Sequence, residues 1–213
     1  MSKMNTLTLT VALFTGLAVA APTIPFVTPN TVVPLTKAPA AAPVLEARQS
    51  ACFVIGSTAL PAEVEDSVTS IQSAITCDTS KTTISGVPDV TSGDVSFSSI
   101  DFSQSTQTPL EFALSKFATA SPLASSDLQT FQDELNTYLA TEAGIRSVGG
   151  SLAIKVPKFF LEYQVSRIQT AQGNTPTAAG QQVDHLRDKV IKNAAGEDQS
   201  LLDQVTALAT QLS

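Results

Sequence analysis

Apolar residues recur at helical spacing from Val64 through Val68, Ile71 and Ile75, so the chain predicts a first helix opening at Pro61. Glu63, Glu65 and Asp66 fall near its positive end. Between 82 and 103 the period shortens. Thr82, Thr83 and Ile84 precede a Gly86-Val87-Pro88-Asp89 turn, then Val95 and Phe97 alternate, and Ile100 and Phe102 alternate in shifted phase. This pattern predicts a short hairpin or small sheet with a bulge at Ser98-Ser99. Thr108-Pro109-Leu110-Glu111 reads as an N-cap, a first-turn proline and a carboxylate three residues on, starting a helix through Leu114 and Phe117. Ser126 with Gln129 repeats that arrangement before Leu128, Phe131, Leu135 and Tyr138 or Leu139, with Gly144 as the stop. After Gly149-Gly150, Pro157 opens a helix with Leu161, Val165 and Ile168 on one stripe, Phe160 and Tyr163 beside it and Gly173 as terminator. Val183, Leu186 and Val190 mark another helix. Leu201, Val205, Leu208 and Leu212 mark a last one, at about 198–212, behind Asp198. The expected fold class is helix-rich α+β: five to six amphipathic helices with a small hairpin or sheet.

The first fifty residues follow other rules. Lys3 precedes an apolar run from Leu7 to Ala18, and Ala18-Val19-Ala20 satisfies the small-residue rule for cleavage after Ala20, so residues 1–20 read as a secretory signal. Pro22, Pro25, Pro29, Pro34, Pro39 and Pro43 prevent helix or sheet from propagating across 21–48, a leader or propeptide. Arg48 closes it, and a basic residue there suits a trimming protease, the alternative being an exposed charge. Residues 49–213 then form a single globular domain, long enough for one core. No later apolar run is long enough to span a bilayer. The protein is expected to be secreted, extracellular or associated with the cell wall.

Export changes the meaning of the two cysteines. Cys52 and Cys77 are an even pair bound for an oxidising compartment, and a disulfide is expected between them, a two-thiolate metal site lacking further Cys or His partners. Charge narrows the partners. From Gln49 onward 9 Lys and Arg face 18 Asp and Glu, a net charge of -9, which disfavours nucleic acid and anionic membranes. One segment departs from this. Between 145 and 172, Arg146, Lys155, Lys158 and Arg167 face only Glu162. Lys155-Val156-Pro157-Lys158 also precedes a helix start, where free N–H groups favour an anion. These four are the candidate anion or partner patch, with pairing to acidic neighbours as the bland account.

Catalytic chemistry finds little support. His185 is the only histidine and lies among Asp184, Arg187 and Asp188 on a polar face, without the setting of a Ser-His-Asp or Cys-His device. Glu111, Glu134, Glu142 and Glu162 invite comparison with carboxylate metal bundles, but no Glu-x-x-His exists. No metal and no cofactor is expected. Paired acids remain available for a small hydrolase, although Trp is absent and Tyr138 and Tyr163 are the only tyrosines.

Cys52-Phe53-Val54-Ile55-Gly56, Leu60-Pro61-Ala62-Glu63-Val64 and Ile84-Ser85-Gly86-Val87-Pro88-Asp89-Val90 resemble uncharacterised small secreted proteins of filamentous ascomycete fungi. The run LATEAGIRSVGGSLAIKVPKFFLEYQVSRIQTAQG, residues 139–173, is the most distinctive stretch. The resemblance covers roughly 52–196, leaves the tail from Asp198 unmatched, implies an extracellular fungal setting and assigns no catalytic residue. The leading expectation is a non-enzymatic, effector-like binding protein acting on a cell-wall or host-surface component. A small hydrolase using paired carboxylates, or an amphipathic helical carrier of apolar ligands, is the alternative.

Overall fold

The computed structural model describes residues 51–212 of the 213-residue chain. The expected signal, leader and processing positions Ala20 and Arg48 lie outside the described residues. Six α-helices and three strands occur among them: α1 (Ala62–Ile71), β1 (Ile75–Thr82), β2 (Pro88–Ser92), β3 (Val95–Ser96), α2 (Pro109–Lys116), α3 (Leu128–Ser147), α4 (Lys155–Ala171), α5 (Val183–Asn193) and α6 (Gln199–Leu208). This is the helix-rich α+β class that the periodicity predicts.

Helix α3 divides the domain. On one side it packs against α1 and the antiparallel sheet, ordered β1-β2-β3, and on the other against α4. Helix α4 in turn packs against α2 and α5, and α6 lies across α5 and α2. On the sheet side of α3, Tyr138 gathers Phe97, Phe102 and Phe117 at ring-centroid separations of 5.1, 6.4 and 5.7 Å, and its hydroxyl donates to the Ile100 carbonyl at 2.6 Å. A buried tyrosine needs such an acceptor.

Several boundaries differ from the sequence expectation, each for a local reason. The first helix ends at Ile71, and Ile75 opens β1 instead of extending the apolar stripe. Cys77 is therefore in a strand, opposite Val90. β1 escapes a periodicity reading because it is an edge strand, rich in Thr and exposed beyond Ile75. Its partner begins at Pro88, so Pro88-Asp89 belong to β2 and the chain turns over 83–87, where the Thr83 amide donates to the Val87 carbonyl at 2.7 Å. The register irregularity sits between Asp78 and Thr82, whereas Ser98-Ser99 belong to a single 3-10 turn. Thr108 caps α2 as expected, accepting from the Glu111 amide. At α3 the cap is Asp127, which accepts from Gln129 and Thr130, while Ser126 accepts from the Ala120 amide. Pro157 is the third residue of α4, not its first.

Gly144 does not stop α3. It lies within the helix, and a Cβ there would stand 2.6 Å from the Phe53 carbonyl oxygen and 2.7 Å from Val87. Its role is close approach, letting the segment 51–58 cross the helix. That crossing is pinned a turn later. The Ser147 hydroxyl accepts from the Ile55 and Gly56 amides at 3.2 and 2.9 Å, and the Ser147 carbonyl accepts from Thr58 at 2.9 Å. The helix ends at Ser147, and Gly149, just past its Val148 cap, takes a φ of +70° that a side chain would resist.

The expected Cys52–Cys77 disulfide is present, tying that crossing segment to β1 across a sequence separation of 25. Closing such a loop stabilises the fold by about 3 kcal/mol through the unfolded chain. The Cys52→Ser/Cys77→Ser variant should accordingly lose about 2–4 kcal/mol in denaturant unfolding. An unchanged midpoint would show that the bond contributes nothing to stability.

Candidate functional site

Helix α4 is enclosed almost completely. From Val156 to Ile168 every residue but Glu162 is buried, including Lys158, Tyr163, Gln164, Ser166 and Arg167. Each buried polar group has to meet a partner. The Tyr163 hydroxyl donates to the Val205 carbonyl at 3.0 Å, Gln164 Nε2 to the Phe117 carbonyl at 2.8 Å and the Ser166 hydroxyl to the Gln181 carbonyl at 2.7 Å. These bonds tie α4 to α6, to the end of α2 and to the turn before α5.

The cations divide between two faces. Lys158 Nζ stands 3.2 Å from Glu142 Oε2 and 3.4 Å from Glu162 Oε1. The other oxygen of Glu142 takes both Nε and Nη2 of Arg146 at 2.8 Å. Glu142, only 2% exposed, thus holds two cations at once. Lys158 Nζ also lies 3.7 Å from the centroid of the Phe159 ring, with Lys189 of α5 at 5.1 Å and Lys155 at 5.8 Å. All three ammonium groups fall within cation–π range of one ring. Lys158 is neutralised by its carboxylates, whereas no carboxylate among the described residues forms an ion pair with Lys155 or Lys189.

Arg167, nine positions beyond Lys158, projects about 180° away around the helix. The four cations singled out from the sequence are therefore not one patch. Arg146 and Lys158 share Glu142, Lys155 stays at the Phe159 ring, and Arg167 faces α6. Nε of Arg167 donates to the Leu208 carbonyl and Nη2 to the Gln211 carbonyl, both at 2.8 Å, and Nη1 to Gln164 Oε1 at 2.5 Å. Lys189 was missed in the sequence reading because only the packing of α5 on α4 brings it there.

Other sequence candidates lie apart. His185 is exposed on α5, and Arg187 beside it pairs with Asp184 and Asp188. Of the four glutamates, Glu111 is exposed at the start of α2, Glu142 and Glu162 meet through Lys158, and Glu134 stands alone on α3. Among the described residues no three His, Cys, Asp or Glu side chains gather as metal ligands. No helix among them is long and apolar enough to cross a membrane.

A cleft of about 430 Å³ opens between the end of α2, the 118–123 segment, α4 and α6. Its lining includes Leu114, Leu123, Gln164, Arg167, Gln204 and Leu208, and no carboxylate among the described residues contributes to it.

A family model described as a domain of unknown function (DUF7143) matches residues 54–213. The chain belongs to that family. The DUF7143 match includes α6, so the tail beyond Asp198 is part of the family domain although the resemblance drawn from sequence stopped short of it. No curated protein and no solved structure matches the chain.

Burial pushes the Glu134 carboxyl up to about 7, with the Lys116 ammonium opposing the shift. A folded-state value above the ordinary 4.5 means that the native protein binds the proton more tightly than the unfolded chain, so stability falls as pH rises from about 4.5 to about 7. Glu134→Gln should remove that loss. Thermal melts across pH should show the variant about 1–2 kcal/mol more stable than wild type at pH 8 and nearly equal to it at pH 4.5. Parallel profiles would mean that Glu134 is solvated.

Proposed function

We propose that this DUF7143 domain is a secreted, non-enzymatic binding protein that acts at a cell wall or host surface and grips an anionic component there. The observation that carries the reading is the convergence of Lys155, Lys158 and Lys189 on Phe159, with two of the three forming no ion pair among the described residues, in a domain of net charge -9 from Gln49 onward. A local positive field on an otherwise acidic molecule favours anions at one place and repels them elsewhere, which supplies orientation as well as attraction. The start of α4, a 17-residue helix beginning at Lys155, adds its partial positive charge to the same region. The disulfide suits life outside the cell.

The hydrolase alternative would need a carboxyl kept protonated near neutrality beside a second, ionised one in a cleft. Glu134 supplies the first property, but among the described residues the cleft between α2 and α6 is lined by neither an aspartate nor a glutamate. The carrier alternative expects an enclosed apolar cavity, whereas this cleft is open and has a guanidinium in its lining.

An array of acidic and neutral glycans and lipids, probed at low and high salt, tests the reading. Wild type should retain acidic members at low salt and release them as salt rises. Lys155→Glu/Lys189→Glu should weaken that retention at least about tenfold, since two attractive charges become repulsive. Equal retention by the variant would remove the lysine cluster from function.

A further inference from the structure

Arg167 presents a problem that the lysine cluster does not explain. Arg167 is 2% exposed, yet no carboxylate among the described residues forms an ion pair with it. Its three acceptors are neutral: the carbonyl of Leu208, the last residue of α6, the carbonyl of Gln211 just past it, and the amide oxygen of Gln164. The carbonyls at a helix C-terminus carry only a fraction of a unit negative charge. Burial pulls Arg167 below its ordinary value, the direction expected of a cation whose charge is only partly offset.

Arginine has five N–H donors, and the three bonds leave one free on each Nη. A guanidinium can meet a carboxylate through two parallel N–H···O bonds. Arg167 is also a lining residue of the 430 Å³ cleft, together with the almost fully buried Gln164. That volume is in the range of small-molecule sites. Its other walls supply apolar surface from Leu114, Leu123 and Leu208 and amide groups from Gln204 and Gln211. A site with a cation whose acceptors among the described residues are all neutral, with leucine walls and no acidic side chain among its described lining residues, favours one ligand type.

We propose that the cleft between α2, α4 and α6 binds a small organic carboxylate with an apolar body, its carboxylate on the free N–H groups of Arg167 and its body against the leucines. Bound carboxylate supplies the charge that the α6 carbonyls only approximate, so ligand and α6 stabilise each other on α4. The site is separate from the lysine cluster on the opposite side of α4.

Octanoate is the probe, with octanol and octylamine as controls of equal chain length. At millimolar concentration octanoate should bind one to one in calorimetry and raise the melting midpoint by about 3 °C or more, octanol by less than a third of that, and octylamine not at all. Arg167→Met will loosen α6 whether or not a ligand exists, so the cleft is blocked from its walls. Ala207→Trp and Ala118→Trp each change an exposed alanine lining it. Both should keep the unliganded melting midpoint within about 2 °C and lose the octanoate shift at least about tenfold in affinity. Lys155→Glu/Lys189→Glu should leave octanoate binding intact. The proposal is overturned by equal shifts from octanoate and octanol, by no octanoate binding, or by octanoate binding that survives in whichever Trp variant folds.

Discussion

A central helix that carries Lys158 and Arg167 into the interior imposes a demand on everything packed around it. Each of those charges would cost several kcal/mol if left alone. Lys158 meets Glu142 on α3, and Glu142 in turn holds Arg146, so one buried carboxylate fixes the contact between the two longest helices. On the other side Arg167, with Tyr163, seizes carbonyls of α6 and of the residues just past it. Tertiary structure here is organised by polar groups that can be satisfied in one arrangement, with leucine and phenylalanine packing filling the space between them.

This arrangement accounts for why the stretch 139–173 is so distinctive in sequence. It comprises the second half of α3, the turn at Gly149-Gly150 and the whole of α4. Residues there are constrained on nearly every face. Gly144 makes room for Phe53, Ser147 fastens the N-terminal crossing, and the buried polar residues of α4 each reach a named acceptor. A surface helix would leave half of those positions free.

The apolar stripes of α1, α4, α5 and α6, the Thr108 cap and the disulfide were legible in the sequence because each is a local or compositional signal. β1 was not, since an exposed edge strand of Thr, Asp, Ser and Lys shows no alternation, and Gly144 was misread because a close approach and a helix stop call for the same residue. The site was legible only in part. Four cations crowded in sequence suggested one patch, but the helical period sends Lys158 and Arg167 to opposite sides, and Lys189 joins the first only through the packing of α5. A polar residue on a helix reads as solvent-facing, so the near-complete burial of α4 was invisible until its neighbours were in place.

The account rests most heavily on the bond between Lys158 and Glu142, which positions α4 and thereby both the lysine cluster and the Arg167 cleft. A double-mutant cycle with Glu142→Gln, Lys158→Met and the two changes combined, read by denaturant unfolding, measures that bond directly. A coupling energy of about 2–3 kcal/mol is predicted for a buried pair of this kind. A coupling below about 0.5 kcal/mol, the size found for exposed pairs, would contradict it.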